Sequence, residues 1–191
     1  MSRIAVDMDE VITDALTKHV QMYNEHFGKQ TTHEDLVGVS LPQYAQEHER
    51  EKVIEFVMTE TFFEDLDVFP GAIETLEALS KEHELFITTA AMEVPNSFAA
   101  KYRWLVKHLP FINTQHFVFC GDKSIVQADY LIDDNVRHFT RFKGTGILFD
   151  APHNRFVDYN PRVKNWNDVA EFFGIPSQVQ QSSRPTANAV R

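Results

Sequence analysis

The chain has 191 residues, of which 43% are hydrophobic, and its formal net charge at pH 7 is −10. This length is enough for one domain with a sizeable core plus an insertion. The acidic charge and the absence of a basic stripe in the sequence argue against a duplex-binding surface. Small anionic substrates stay open, because a bound divalent cation can outweigh the global charge locally.

The lone cysteine, Cys120, excludes an intramolecular disulfide framework and is typical of a reducing compartment. It follows the apolar run 117–119, so we expect a buried structural thiol. No apolar stretch approaches membrane-spanning length, and the first apolar residues run into Asp7 without a signal-peptide pattern. We therefore expect a cytoplasmic protein that does not bind a membrane.

Hydrophobic spacing predicts a series of strands and helices along the chain. The first strand, 4–6, runs directly into a group of acids. The helix predicted over 14–27 repeats apolar residues every three or four positions and stops at Gly28. The other predicted helices cover 47–61, 72–81, 96–109 and 166–173. The other predicted strands cover 84–89, 116–120, 130–132 and 145–149.

From Pro70 onward, predicted strands alternate with helices, which favours an α/β fold with a parallel sheet and right-handed crossovers. The mostly helical stretch 15–69 interrupts this alternation and is interpreted as a small cap inserted after the first strand. The catalytic core would then consist of 1–14 and 70–175. Residues 176–191 are rich in Ser, Gln and Pro and are predicted to be a disordered tail.

Acidic residues follow two of the predicted strands. Asp7, Asp9 and Glu10 end the first strand, and Asp133 and Asp134 follow the run 130–132. Unpaired buried charge is costly, so acids at the end of a buried strand make sense if a cation binds there. Ligands of open α/β sheets bind at the carboxyl ends of the strands. The sequence therefore predicts one shared Mg²⁺ site.

Two further signals stand at or just after predicted strand ends, Thr88-Thr89 and Lys123. Thr89 offers a hydroxyl to a phosphoryl oxygen. Lys123 offers fixed positive charge to a phosphate and to Asp7. Together with the acids, these residues suit phosphoryl transfer.

The acids have separable candidate roles. Asp7 is the candidate nucleophile, which would form an aspartyl-phosphate. Asp9 could protonate the leaving alcohol and later activate water, while its carbonyl helps to hold the metal. Asp134, with Asp133 beside it, would complete the Mg²⁺ site. Taken singly, an Asp-x-Asp or an Asp-Asp is commonly a loop or a helix cap, but the ordered set is far more specific.

These motifs resemble those of a known superfamily. DMDEV, FITT, GDK and LIDD are similar to the four motifs of the haloacid dehalogenase-like (HAD) phosphatases. The segments FFEDLDVFPGAIETLEAL, KYRWLVKHL and LFDAPHN extend the resemblance specifically to the 5'(3')-deoxyribonucleotidase family, over residues 3–174. The resemblance implies a Rossmann-like parallel sheet with helices on both faces, a small helical cap, and dephosphorylation of (deoxy)nucleoside monophosphates.

The resemblance also implies roles for individual residues. Asp7 is implied as the nucleophile and Asp9 as the acid/base. The implied phosphate-binding residues are Thr89, Ala90 and Lys123. The implied Mg²⁺ ligands are the Asp7 side chain, the Asp9 carbonyl and the Asp134 side chain, with Asp133 supporting.

The sequence departs from the family mainly around the substrate. Glu10 stands where many relatives have Gly, and Ala90 replaces a small hydroxyl residue. The cap positions that carry base-pocket aromatics in animal members are Ala15, residues 37–39 and Val57 here. Stacking could come instead from Phe56, Tyr44 or Phe62, although a core position is the simpler expectation for Phe62.

The altered shell leaves alternatives open. The main one is a HAD phosphatase that acts on a non-nucleotide phosphate ester, such as a sugar phosphate. A binding module without turnover is disfavoured by the intact motifs, and a dehalogenase by acids that serve a metal. In each enzymatic case the partner is a small phosphate monoester and not a nucleic-acid polymer. A homodimer, common among relatives, is left open.

Residues outside the motifs are predicted to be structural. Trp104 and Trp166 lie on apolar helical faces and should be core. Lys101 and Arg103 could reach the crevice, but surface placement is expected for both. The nine histidines lack metal-ligand spacing.

Overall fold

The structure is a computed structural model, and it describes residues 1–176. The tail predicted over 176–191 lies, from residue 177 on, outside the described residues. None of the helices in the described part combines the length and apolar character needed to cross a bilayer.

A six-stranded, wholly parallel sheet forms the centre of the fold, with strand order β3-β2-β1-β4-β5-β6. The strands are β1 (Arg3–Asp7), β2 (Glu84–Thr89), β3 (Phe117–Phe119), β4 (Tyr130–Asp133), β5 (Thr145–Phe149) and β6 (Arg162–Val163). The predicted α/β class is confirmed. β6 was not predicted, because two residues carry no readable periodicity.

The position of β1 determines where a site can form. Val6 pairs with Ile87 of β2 on one side and with Ile132 of β4 on the other. The chain winds outward from β1 through β2 and β3, and later returns to continue through β4, β5 and β6. The carboxyl end of β1 is therefore the point where the strand order reverses, which is where open α/β sheets bind ligands.

Within residues 1–176, six α-helices accompany the sheet: α1 (Ala15–Phe27), α2 (Leu41–Tyr44), α3 (Arg50–Val57), α4 (Ala72–Ser80), α5 (Phe98–His108) and α6 (Trp166–Phe172). α1 begins after Asp14, whose Oδ1 accepts the Thr17 N–H at 2.9 Å, and ends at Gly28 in the left-handed conformation. Its predicted end is confirmed, and its start lies one residue later than predicted because Asp14 is the capping residue.

Two helices are shorter than predicted by more than one residue. The helix expected over 47–61 is only α3, because Glu49 accepts the Gln46 N–H at 3.1 Å in a turn before it. At its other end the Thr59 hydroxyl donates to the Phe56 carbonyl at 2.9 Å. The helix expected over 96–109 begins at Phe98, because a 3-10 turn precedes it.

The largest core cluster packs β1 and its neighbours against α4, α5 and α6. Trp104 and Trp166 are buried in it, as predicted, and Cys120 is also buried and free. Each indole N–H finds a carbonyl: Trp104 donates to Leu66 at 2.9 Å and Trp166 to Val11 at 2.8 Å. Segment 15–69 has a separate cluster built from α1, α2, α3 and their connections.

Candidate active site

The sheet brings the sequence motifs together. Asp7 ends β1 beside Thr88 of β2, and Asp133 ends β4 on the other side of β1. Lys123 lies in the turn that follows β3. Because all strands run parallel, these carboxyl ends lie at one edge of the sheet.

Lys123 is the central cation of this edge. Its side chain is 1% exposed, and Nζ lies 2.6 Å from Asp7 Oδ1 and 2.6 Å from Asp133 Oδ2. Burial alone would lower the pKa of Lys123, but the Asp7 and Asp133 carboxylates outweigh burial and raise it. Lys123 therefore stays charged.

Asp7 experiences opposing influences. Burial raises its pKa to about 7, Lys123 acts to lower it, and Asp133 and Asp9 add to the rise. Burial also raises the pKa of Asp134, with further contributions from Asp133, Asp7 and Glu10. Lys123 does not offset this concentration of negative charge on its own.

Three carboxylates are close enough to share a cation. Asp7, Asp133 and Asp134 each offer an oxygen, and these oxygens lie within 4.8 Å of one another. Asp133 is already occupied, since Oδ2 contacts Lys123 and Oδ1 accepts the Asn135 N–H at 2.9 Å. Asp134 Oδ2 lies 3.4 Å from His153 Nε2. The all-oxygen donor set fits Mg²⁺, with Asp7 and Asp134 better placed than Asp133 to bind it.

The prediction for Lys101 was wrong. Its side chain is 3% exposed, and Nζ contacts Asp9 Oδ2 and lies 3.0 Å from Thr89 Oγ1. The reason is helical geometry: Lys101 precedes the buried Trp104 by three residues and Leu105 by four, so it shares their inward face. That spacing was the available sequence signal. Arg103 is exposed, as predicted.

Asp9 is held at one oxygen and free at the other. Lys101 contacts Oδ2, whereas Oδ1 is buried and has no hydrogen-bond partner among residues 1–176. A buried acceptor without a partner is costly, so Oδ1 is an expected contact point for a ligand. Lys101 also lies over the Phe63 ring, 4.3 Å from its centroid.

Thr89 and Thr88 differ in role. Thr89 is fully buried, and its Oγ1 accepts from Lys101. Thr88 Oγ1 instead donates to the Val6 carbonyl at 3.4 Å, across the sheet. Ala90, directly after β2, lines the pocket that also exposes Asp7, Asp9 and Asp134.

Glu10 links the end of β1 to the start of α1. It adopts φ +57°, in the left-handed region that favours glycine. Its Oε1 accepts the Leu16 N–H at 2.6 Å, at the first turn of α1. Burial raises the pKa of Glu10 to about 8.

Two adjoining cavities open from this site. The catalytic pocket has a volume of about 180 Å³, and a second cavity of about 260 Å³ lies against segment 15–69. Both are lined by Asp9, Glu10, Phe63 and Val94. The second cavity is also lined by Ala15, Val39, Val57 and Phe62, whereas Phe56 and Tyr44 do not line it. Phe62 is thus both a core residue and a wall of the cavity.

Solved structures define the class of fold. A haloacid dehalogenase-like family hydrolase from Streptococcus pneumoniae superposes with a TM-score of 0.63 at 13% identity, over 91% of this chain and 98% of that one. A HAD-hydrolase of Bacillus subtilis, described as bound to magnesium, superposes with a TM-score of 0.56 at 11% identity. The superposition covers 91% of this chain and 98% of that hydrolase. The chain has a HAD-like fold.

Sequence comparisons identify the family within this class. A family model described as "5' nucleotidase, deoxy (Pyrimidine), cytosolic type C protein" matches residues 1–180. A relative from Staphylococcus epidermidis, provisionally named 5'(3')-deoxyribonucleotidase, is 44% identical. The match covers 90% of this chain and 95% of the relative. The 5'(3')-deoxyribonucleotidase of Bacillus subtilis is 33% identical, and the match covers 87% of this chain and 95% of the relative. The chain belongs to this 5'-nucleotidase family, so the resemblance seen in the motifs is confirmed.

Proposed function

We propose that the protein is a Mg²⁺-dependent phosphomonoesterase that hydrolyses (deoxy)nucleoside monophosphates through an aspartyl-phosphate. The observation that carries this proposal is the position of Asp7, 2.6 Å from Lys123 and inside a cluster of three carboxylates. The names of the relatives, 5'(3')-deoxyribonucleotidase, support the choice of nucleotide substrates.

Asp7 must be ionised to attack phosphorus. Burial, with Asp133 and Asp9, raises its pKa to about 7 even though Lys123 acts to lower it, so the carboxylate form depends on nearby positive charge. Lys123 supplies one such charge at 2.6 Å. A Mg²⁺ ion held by the Asp7 side chain, the Asp9 carbonyl and Asp134 would lower the pKa of Asp7 further and neutralise charge on the phosphoryl group.

In the first step, an Asp7 oxygen bonds to phosphorus and the ester P–O bond breaks. Asp9 donates its proton to the departing oxygen, so the nucleoside leaves as a neutral alcohol. The geometry supports this role, because Lys101 holds Oδ2 while Oδ1 has no partner in the described chain. Lys123, Lys101 and the Thr89 hydroxyl stabilise charge at this end of the sheet.

In the second step, the Asp9 carboxylate accepts a proton from water, and the water oxygen bonds to phosphorus. The bond between phosphorus and Asp7 breaks, which releases inorganic phosphate. Asp7 returns to the carboxylate form and Asp9 to the protonated form, so both residues are ready for another turnover.

Segment 15–69 is proposed to act as a cap over a catalytic core made of 1–14 and 70–175. Its contribution would be the cavity of about 260 Å³, whose walls come from both parts and which adjoins the catalytic pocket. The nucleoside portion would occupy this cavity while the phosphate lies at Asp7. The cytoplasmic location stays a prediction from the sequence, and the oligomeric state is left open.

The test is phosphate release with Mg²⁺ across a panel of 5' and 3' deoxynucleotides, ribonucleotides, sugar phosphates and p-nitrophenyl phosphate. Asp7→Asn should abolish turnover with the fold intact, whereas Asn at the exposed Asp158 should change nothing. EDTA should silence the enzyme and excess Mg²⁺ should restore it. Preference for a sugar phosphate would reassign the substrate, and retained activity in Asp7→Asn would refute the nucleophile.

A further inference from the structure

The cavity beside the catalytic pocket is mostly apolar, and most of its polar groups are committed elsewhere. Glu10 accepts from the first turn of α1 at 2.6 Å, and the Ser40 hydroxyl donates to Gln43 at 2.9 Å. His153 faces Asp134 at 3.4 Å. Of the polar groups remote from the catalytic acids, this leaves His19 with hydrogen-bonding capacity to spare.

His19 lines the cavity from α1, one helical turn beyond Ala15 and Leu16, which line it too. Its Nε2 lies 2.8 Å from the Val53 carbonyl oxygen. A carbonyl can only accept, so Nε2 carries the proton. Burial lowers the pKa of His19, which keeps the imidazole neutral. Nδ1 is then an acceptor, and it has no partner among the residues that the structure describes.

The ring is also held in orientation. The rings of Phe56 and Phe62 meet His19 edge to face, with centroids 6.4 Å and 5.8 Å away. Rotating the ring to exchange its nitrogens would break the bond between Nε2 and the Val53 carbonyl. The acceptor character of Nδ1 is therefore fixed by the packing of α1 against α3.

We propose that His19 is a specificity-determining residue whose Nδ1 accepts a hydrogen bond from the base of a nucleotide bound in this cavity. A base with a ring N–H at that edge, such as uracil or thymine, satisfies the acceptor. A base with a ring acceptor there, such as cytosine, places two lone pairs face to face. The inference rests on the proposed nucleotidase function, because it needs the base in this cavity.

The first experiment uses the unaltered protein. It compares kcat/KM for dUMP and for its N3-methyl analogue, which keeps the ring but lacks the N–H. Losing a hydrogen bond to a buried acceptor should reduce kcat/KM roughly 10- to 100-fold. p-Nitrophenyl phosphate, which carries no nucleobase, serves as the reference ester for the catalytic centre. Equal kcat/KM for dUMP and the N3-methyl analogue would overturn the assignment of His19.

The second experiment changes the residue. His19→Phe keeps a ring of similar shape and should bring kcat/KM for dUMP down to that for the N3-methyl analogue, with p-nitrophenyl phosphate unaffected. His19→Gln retains an amide donor for Val53 and a carbonyl acceptor, and should recover part of the preference. His26→Phe is the matched control, since His26 lies on the same helix, exposed and outside the cavity lining.

The outcomes separate this inference from the proposed function. A parallel loss for both nucleotides and for p-nitrophenyl phosphate in His19→Phe would show a purely structural role and refute the inference. Hydrolysis of p-nitrophenyl phosphate with none of either nucleotide would refute the nucleotidase proposal itself. Discrimination between dUMP and its analogue that survives in His19→Phe would assign the base contact to another group.

Discussion

The ammonium group of Lys101 contacts the carboxylate of Asp9, 92 residues earlier in the chain. The same nitrogen lies 3.0 Å from Thr89 Oγ1, so one side chain of α5 joins the ends of β1 and β2. The contact uses Oδ2 of Asp9 and leaves Oδ1 without a partner in the described chain. We infer that Lys101 positions Asp9 for proton transfer.

Lys101→Met should therefore lower kcat for nucleotides by about 100-fold, because a displaced general acid transfers its proton poorly. p-Nitrophenyl phosphate has a good leaving group that needs little protonation, so its kcat should fall much less. Lys107→Met, at an exposed position of the same helix, serves as the control. Equal losses for both esters would contradict a role through Asp9.

Asp134→Asn should weaken the metal site while leaving the sheet intact. Asp134 faces Asp7 across the candidate site, and Asp133 has both oxygens engaged by Lys123 and the Asn135 N–H. The half-saturating Mg²⁺ concentration should rise by at least about tenfold. Mg²⁺ titration by calorimetry, which does not depend on turnover, checks this. An unchanged Mg²⁺ affinity would show that Asp134 is not a ligand of the metal.

Glu49→Gln should flatten the acid dependence of stability. The pKa of Glu49 is lowered from 4.5 to about 2, chiefly because the Tyr23 hydroxyl donates a hydrogen bond to its carboxylate at 2.7 Å. Lys29, whose Nζ lies 3.0 Å from the same carboxylate, adds to this effect. A lowered carboxyl pKa stabilises the fold above pH 4.5, and this contribution is lost as the pH falls towards 2. Thermal melts between pH 2 and pH 6 should show the loss in the native protein and in Glu51→Gln, an exposed control, but less in Glu49→Gln.

Gly38→Ala should disturb the contact between segment 15–69 and the loop after β5. The Gly38 N–H donates to the Pro152 carbonyl at 2.9 Å, and an added Cβ would lie 2.6 Å from the Phe156 ring. Gly28 also has a positive φ but has no atom within 4 Å of such a Cβ. Each Ala carries a backbone cost of about 1 kcal/mol.

The difference between these two glycine variants isolates the Phe156 contact. Gly38→Ala should lower Tm more than Gly28→Ala and should raise KM for nucleotides, since Val39 beside it lines the cavity. Phe156 is 79% exposed, so its removal is tolerable. In a Phe156→Ala background the two glycine substitutions should cost the same. A persisting difference would assign the effect to the backbone alone.

Much of the candidate site could be predicted because it depends on local sequence. Asp7, Thr89 and Asp133 lie where apolar runs end, and parallel strands end at a common edge. The Asp14 cap and Gly28 likewise determine α1 through local hydrogen bonds and backbone freedom. No knowledge of distant contacts is needed for these features.

Lys101 and His19 could not be assigned in this way. Both lie on amphipathic helices, where spacing shows which residues share a face but not what that face contacts. Lys101 is buried because Asp9 and Phe63 meet it there, and Val53, 34 residues away, sets the tautomer of His19.

The sequence by itself determined five of the six strands in the described sheet, their terminal acids and the family, because these follow from short-range patterns. Only the tertiary structure decided which strand is central, which cation holds Asp9, and which acceptor faces the cavity. Those features arise from side chains that are distant in the chain and become neighbours when the sheet and segment 15–69 pack. The interaction energies of these side chains depend on burial and on partners that no local pattern specifies.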